Sequence, residues 1–98
     1  MDTVWRHVAL NGLENAHQYI AKQNPDAAKR IFDAILTSVR HLADSPNIGR
    51  PGRVDGTREL VVVGTPYIVA YAVADNRINI LAVQHGAQEA PGKLIANG

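Results

Sequence analysis

Residues 49–71 read GRPGRVDGTRELVVVGTPYIVAY, a segment rich in glycine and proline whose three arginines lead into two apolar runs. Because glycine, proline and aspartate favour turns, residues 46–57 are predicted to form a loop. The runs 58–63 and 67–73 are rich in valine and tyrosine and are predicted to be strands. The short linker Gly64-Thr65-Pro66 between these runs favours an antiparallel pair.

A third strand is predicted at residues 78–85, after the turn Asp75-Asn76-Arg77. Asn76 is the residue in this turn that best accepts a left-handed backbone. The three strands therefore form an antiparallel meander.

The region before the meander contains a short strand and a first helix. Residues 3–8 fit a strand, and the segment Asn11-Gly12-Leu13-Glu14 resembles a capping box with Asn11 as the N-cap. The helix that follows is predicted to end near Gln23.

The second helix has clear start and stop signals. Asn24 can cap its start, and Pro25 suits the first helical position. The apolar residues recur at helical spacing, and they are Ala28, Ile31, Phe32, Ile35, Val39 and Leu42. The helix is predicted to end near Asp44-Ser45-Pro46, because the residue before a proline disfavours the helical conformation.

These elements predict an α+β fold in the order β-α-α-β-β-β. The two helices form an antiparallel hairpin that packs on one face of the sheet, since only a short link joins them. The 98 residues are predicted to form one domain, residues 1–98, in which residues 86–98 make an irregular C-terminal tail.

The sheet is predicted to be apolar on both faces. Val61 opposes Leu60, and Ile80 opposes Leu81 and Val83. The helix hairpin covers only one face, so the other needs a cover as well. A partner segment, a second copy of the chain or the C-terminal tail could provide it.

Composition and charge exclude several classes of protein. There is no cysteine, so disulfides and thiolate metal sites are excluded. Neither a metal nor a cofactor is expected, because the histidines lack the paired spacing of metal ligands; they are His7, His17, His41 and His85. No signal-peptide pattern and no apolar run of about 20 residues occurs, which favours a cytoplasmic protein without a membrane partner. The net charge is only +1, whereas proteins that grip nucleic-acid phosphates usually carry a clear basic excess.

The candidate site residues lie in the loop and on the strands. Arg50, Arg53 and Arg58 form either a patch that binds phosphate, RNA or an acidic protein, or a solvated loop paired with nearby carboxylates. His85, at the end of the last strand, is either a general acid or base or a hydrogen-bonded structural residue. Tyr67 and Tyr71 suit strand packing, and also a partner interface if they are exposed.

Five short segments stand in a characteristic order along the chain. They are Tyr19-Ile20-Ala21 with NPDAA at 24–28, Leu42 to Pro46 with GRPGR at 49–53, TRELVV at 57–62, GTPYIVAY at 64–71, and HGAQ at 85–88. By these segments, and over nearly its whole length, the chain resembles the ParE/RelE superfamily of bacterial toxins from toxin–antitoxin pairs. The resemblance implies the β-α-α-β-β-β fold inferred above.

The resemblance also implies one of two activities. RelE-like members are ribosome-dependent mRNA endonucleases, whereas ParE-like members inhibit DNA gyrase by binding it. Both kinds form a hetero-oligomer with a cognate antitoxin, whose C-terminal segment wraps the toxin. Antitoxins commonly bind operator DNA, so contact with that DNA is expected only indirectly, through the antitoxin.

Three features favour the ParE branch. The charge is nearly neutral, Tyr67 stands where RelE-like members have arginine, and Gly86 follows His85 where many of them have a reactive tyrosine or a basic residue. The expectation is a gyrase inhibitor that acts by binding rather than as an enzyme. Its target or partner contacts are expected at Arg50, Arg53, Arg58, Tyr67, Tyr71, His85 and Gln88.

Two alternatives stay open. One is an mRNA interferase with Arg53, Arg58 and His85 as catalytic residues. The other is a degenerate, non-toxic relative, because Ala90 precedes Pro91 where similar sequences carry a bulky aromatic residue.

Overall fold

A computed structural model describes residues 1–86 of the chain. Within these residues, two helices and five strands follow one another as β1 Asp2–Trp5, α1 His7–Ala21, α2 Pro25–Asp44, β2 Arg50–Pro51, β3 Arg58–Val61, β4 Tyr67–Ala74 and β5 Arg77–His85. The strands form one mixed sheet in the order β1-β5-β4-β3-β2, and the helices pack on one face of it. The predicted α+β fold is confirmed, with β1 parallel to β5 and the other pairs antiparallel.

The first helix begins earlier than the sequence predicted. It starts at His7, so the capping box predicted at Asn11 is wrong, and the predicted strand 3–8 ends at Trp5. Arg6 is the N-cap; its backbone N–H donates to Ile80 O on β5 at 3.0 Å and so ties the end of β1 to the sheet. Ala9 is fully buried and packs in the same core as Leu13. Residues four apart share one face of a helix, so a helical start at His7 places both side chains in the core.

The second helix follows its prediction closely. Asn24 caps it, with Oδ1 accepting a hydrogen bond from Ala27 N at 3.0 Å, and Pro25 occupies the first turn. The helix ends at Asp44, two residues before Pro46. The buried side chains on its inner face are Ala28, Ile35, Val39 and Leu42.

A bulge in β5 changes the predicted distribution of apolar residues over the sheet. Val83 pairs with Val69 and Ile80 pairs with Tyr71, so Leu81 is the extra residue between the two pairs. Ile80 and Val83 therefore both face the helices, and the prediction that they point to opposite faces is wrong. In a regular strand, side chains three residues apart point to opposite faces of the sheet. The extra residue at the bulge brings Ile80 and Val83 to the same face.

The face away from the helices is built mainly from small and polar residues. Ala70 and Ala82 pair at its centre and are each 1% exposed. Glu59 and Gln84 are buried on the same face, while Val61 is 49% exposed. The predicted tail at 86–98 lies, beyond Gly86, outside the described residues.

The connections follow the predicted turn chemistry in part. Asp75 and Asn76 both have positive φ, 56° and 59°, as a tight hairpin requires, which confirms the prediction for Asn76. The predicted loop at 46–57 contains the two-residue strand β2, which pairs with Arg58 and Glu59.

Within residues 1–86, neither helix combines the length and the apolar character needed to cross a bilayer.

Candidate functional site

The arginine loop, residues 45–57, is held from beneath by a buried tyrosine. Tyr71 is fully buried, and its hydroxyl accepts a hydrogen bond from Gly49 N at 2.9 Å and donates one to Pro46 O at 2.8 Å. A Cβ at Gly49 would lie 2.6 Å from this hydroxyl, so only glycine allows the loop to come so close. Tyr71, expected at a partner surface, instead lies inside the protein and supports the loop.

Arg58 forms hydrogen bonds with the same part of the loop. Its Nη1 donates to Gly49 O at 2.7 Å and to Asn47 O at 3.2 Å. Arg58 and Tyr71 are paired across β3 and β4, so both side chains emerge on the same face of the sheet. The guanidinium of Arg58 is thereby turned toward the backbone of its own loop.

Glu59 holds the other part of the loop from the opposite face. Its side chain is 4% exposed, and its two carboxylate oxygens accept from Arg50 Nη2 at 3.3 Å and from Arg53 N at 3.4 Å. Arg50 thus pairs with a carboxylate, although its own side chain stays 57% exposed. The set Arg58, Glu59 and Tyr71 is called the loop clamp below.

Arg53 is the arginine that the loop clamp leaves available. The side chain is exposed, and among residues 1–86 its guanidinium makes no hydrogen bond or ion pair. Its backbone is nevertheless fixed by Glu59, and the next turn is closed by Gly52 N donating to Thr57 O at 2.8 Å. A cation on an ordered backbone is suited to binding an anion.

A second candidate region is a groove of about 730 Å³ between α1 and the ends of β4 and β5. Tyr67 and His85 stand on its sheet side, paired across the two strands with ring centroids 5.5 Å apart and ring planes at 78°. Tyr19, 66% exposed, lies on its helix side. Burial, together with the proximity of Tyr19, raises the pKa of the Tyr67 phenol above its ordinary value.

Gly12 brings the helix side of this groove close to the sheet. A Cβ at this position would overlap Val83 O, so any other residue would force α1 away from β5. In the sequence, Gly12 falls within the segment Asn11-Gly12-Leu13-Glu14 that predicted a capping box. Its spacing from the apolar residues Ala9 and Ala16 of α1 is the signal that could have assigned it to the buried face.

The predicted site residues fall into two separate groups. Arg50, Arg53 and Arg58 lie at the β2–β3 edge, whereas Tyr67 and His85 lie in the groove. The partners of Arg58 and His85 on β4 are Tyr71 and Tyr67, four residues apart, which is about 13 Å along a strand. Gln88 lies outside the described residues.

Within residues 1–86, histidines and carboxylates do not gather into any group of three or more that could hold a metal ion.

Comparison with known proteins assigns the chain to a family. Residues 3–90 match the model of the ParE toxin of type II toxin–antitoxin systems, parDE. The protein named "Putative toxin Y4kP" of Sinorhizobium fredii is 44% identical over 90 residues, which cover 92% of this chain and 93% of that protein. Toxin RelE2 of Caulobacter vibrioides is 38% identical over 85 residues, which cover 87% and 94%.

A solved structure has the same fold. A chain of the chromosomal ParDE TA system from P. aeruginosa superimposes with a TM-score of 0.79, at 24% identity, over 87% of this chain and 95% of that chain. The family match spans both the arginine loop and the groove. This chain belongs to the ParE family of toxins from type II toxin–antitoxin systems.

Proposed function

We propose that this toxin inhibits DNA gyrase by binding to it, and that a cognate antitoxin neutralises it by forming a hetero-oligomer in the cytoplasm. Family membership supplies the toxin role and, with it, the expectation of an antitoxin. The gyrase target is the further step, and it distinguishes a binding protein from a ribonuclease.

The observation that carries this proposal is the separation of Arg58 from His85. Cleavage of RNA by its own 2′-hydroxyl needs an acid, a base and a cationic group around one phosphate. Arg58 and His85 are on strands separated by β4, at positions about 13 Å apart along it. Arg58 also directs its Nη1 to two carbonyl oxygens of the loop. This arrangement favours a binding surface over a nuclease centre.

The charge of the chain supports the same conclusion. Its net charge is +1, and one of the loop arginines, Arg50, is paired with the buried Glu59. Affinity for an RNA backbone depends on several unpaired cations that release counterions from phosphates. A protein target makes a weaker demand on net charge, because shape and apolar contacts contribute more to its affinity.

An mRNA interferase is the second candidate function. It is favoured by the groove, where His85, Tyr67 and Tyr19 converge, since aromatic rings can stack on unpaired bases. The 38% identity to a protein named toxin RelE2 points the same way. Under this alternative, Arg53 and Arg58 would have to reach a phosphate that is also within reach of His85.

Induction in cells distinguishes the two candidates. The wild-type chain and the variant His85→Ala are expressed without antitoxin, together with reporters of DNA damage and of transcript integrity. His41→Ala is the matched control, because His41 is an exposed histidine in the last turn of α2, away from the groove. The proposal expects DNA damage, intact transcripts and retained toxicity in both variants.

The opposite pattern would reject gyrase as the target. Rapid loss of specific transcripts with intact DNA, together with loss of toxicity in His85→Ala but not in His41→Ala, would identify the chain as an interferase. Co-expression of the antitoxin should restore growth under either target and thus tests the antitoxin separately.

A further inference from the structure

The backbone of the arginine loop is fixed by side chains from two neighbouring strands of the sheet. Residues 46–53 form hydrogen bonds with three side chains of the sheet. Tyr71 and Arg58 reach it on the helix face, and Glu59 reaches it on the other face. Successive residues of β3 thus hold opposite sides of one loop.

This support is directed at the backbone and leaves one guanidinium outside. Arg58 Nη1 donates hydrogen bonds to Gly49 O and Asn47 O, and Arg50 Nη2 donates one to Glu59 Oε1. Arg53 is held through its backbone N–H, and its exposed side chain contacts no hydrogen-bonding partner within residues 1–86. The three arginines are therefore not equivalent.

We propose that the loop clamp, Arg58, Glu59 and Tyr71, positions Arg53 to bind a carboxylate on the surface of the toxin's target protein. Arg58 and Tyr71 are positioning residues, which act through the loop without touching the target. The inference rests on the proposed function in taking the target to be a protein, and in using gyrase as the probe.

Exposed apolar side chains at the same edge of the sheet favour a protein over a phosphate backbone. Ile48, in the same loop, is 51% exposed, and Val61, two residues beyond Glu59 on the same face of β3, is 49% exposed. A sheet edge that combines an exposed arginine with exposed apolar side chains is typical of the surfaces that proteins present to one another. A phosphate-binding surface would carry further unpaired cations at these positions.

Fixing the loop in advance lowers the cost of binding. An exposed loop that becomes ordered only on contact loses conformational entropy, and this reduces affinity. Here the hydrogen bonds to Gly49 and Arg53 order the backbone before the target arrives. Removing the Tyr71 hydroxyl should therefore weaken binding through Arg53, although Tyr71 is fully buried.

A double-mutant cycle tests this mechanism. Binding of purified gyrase is measured for wild type, Arg53→Ala, Tyr71→Phe and the double variant, with Arg77→Ala as control. Arg77 is an exposed arginine at the start of β5, which is separated from β3 by β4. Each single variant should weaken binding by about tenfold, and the double variant should be no weaker than Arg53→Ala alone. Arg77→Ala should bind like wild type.

Two results would overturn the inference. One is an Arg53→Ala variant that binds as tightly as wild type. The other is an additive double variant, because a merely structural effect of Tyr71 would not depend on Arg53. If Tyr71→Phe fails to fold, Arg58→Met replaces it in the cycle, since it removes the donors to Gly49 O and Asn47 O but keeps the aliphatic stem.

A failure of the proposed function would look different. If wild type does not bind gyrase, the gyrase target is rejected, and growth inhibition in cells then decides the inference. Loss of toxicity in Arg53→Ala and Tyr71→Phe, but not in Arg77→Ala, would support the positioning of Arg53. Full toxicity in Arg53→Ala would overturn it.

Discussion

Tyr67 and His85 lie directly opposite one another on β4 and β5, with ring centroids 5.5 Å apart and ring planes at 78°. This edge-to-face contact lines the sheet side of the groove, and Tyr67 is 6% exposed. Tyr67 is thus a packing residue that also lines the groove.

Stability should fall at high pH because of Tyr67. Burial raises the pKa of its phenol above 10.0, since the phenolate is costly to form in a desolvated site. The unfolded chain then loses this proton before the folded chain does. The contribution of Tyr67 to stability is therefore fully present below about pH 10 and is lost as the pH rises through the higher, folded-state pKa.

Urea denaturation at increasing pH measures this effect. The variant Tyr67→Phe should lose the part of the alkaline destabilisation that comes from Tyr67. Tyr19→Phe should reduce it only in part, because Tyr19 is the smaller of the two causes that raise the pKa of Tyr67. An identical pH profile for wild type and Tyr67→Phe would contradict the burial of this phenol.

Replacing Gly12 should separate α1 from the sheet. In Gly12→Ala the new Cβ would clash with Val83 O, and overpacking of this kind costs about 1–3 kcal/mol of unfolding free energy. Asn15→Ala, on the same helix and exposed, is the control and should change stability little. Chemical denaturation checks both; equal stability of Gly12→Ala and wild type would mean that α1 does not contact β5 so closely.

Two asparagines distinguish the observed helix starts from the predicted ones. Asn24→Ala should cost about 1 kcal/mol, because Asn24 caps α2 through Ala27 N. Asn11→Ala should cost nothing, because Asn11 lies inside α1, where alanine is the better helix former. Thermal melts of the two variants provide the comparison. A larger loss of stability in Asn11→Ala than in Asn24→Ala would indicate that Asn11 caps α1, as the sequence predicted.

Loss of the Tyr71 hydroxyl should destabilise the protein measurably. Tyr71→Phe leaves Gly49 N and Pro46 O without their partner, which costs about 1–3 kcal/mol for buried groups. Tyr19→Phe should leave stability near wild type, because Tyr19 is 66% exposed. Urea denaturation at neutral pH compares the free energies of unfolding of the two variants. A Tyr19→Phe variant less stable than Tyr71→Phe would contradict this prediction.

Local signals were enough to predict most of the fold. Asn24-Pro25 and the proline at 46 marked the ends of α2, and Asn76 marked the β4–β5 turn, because each acts through its own backbone. The start of α1 was missed because Asn11 and Glu14 imitate a cap within a helix. The helix begins at His7 because Ala9 packs in the core, and rules based on neighbouring residues do not include such tertiary contacts.

The candidate site was less accessible to sequence reasoning. Arg50, Arg53 and Arg58 could be recognised as a group, but their different roles depend on Tyr71 and Glu59. Tyr71 meets its loop partners across 22 and 25 residues of sequence. The bulge at Leu81 has no composition signal either, since it follows from how β4 and β5 pair.

A supercoiling assay with purified gyrase and no ribosomes decides whether gyrase is the target. If it is, the toxin inhibits supercoiling and leaves cleaved DNA bound to gyrase, His85→Ala still does so, and antitoxin prevents both effects. Unchanged supercoiling at saturating toxin, together with cleavage of mRNA when ribosomes are added, would contradict it.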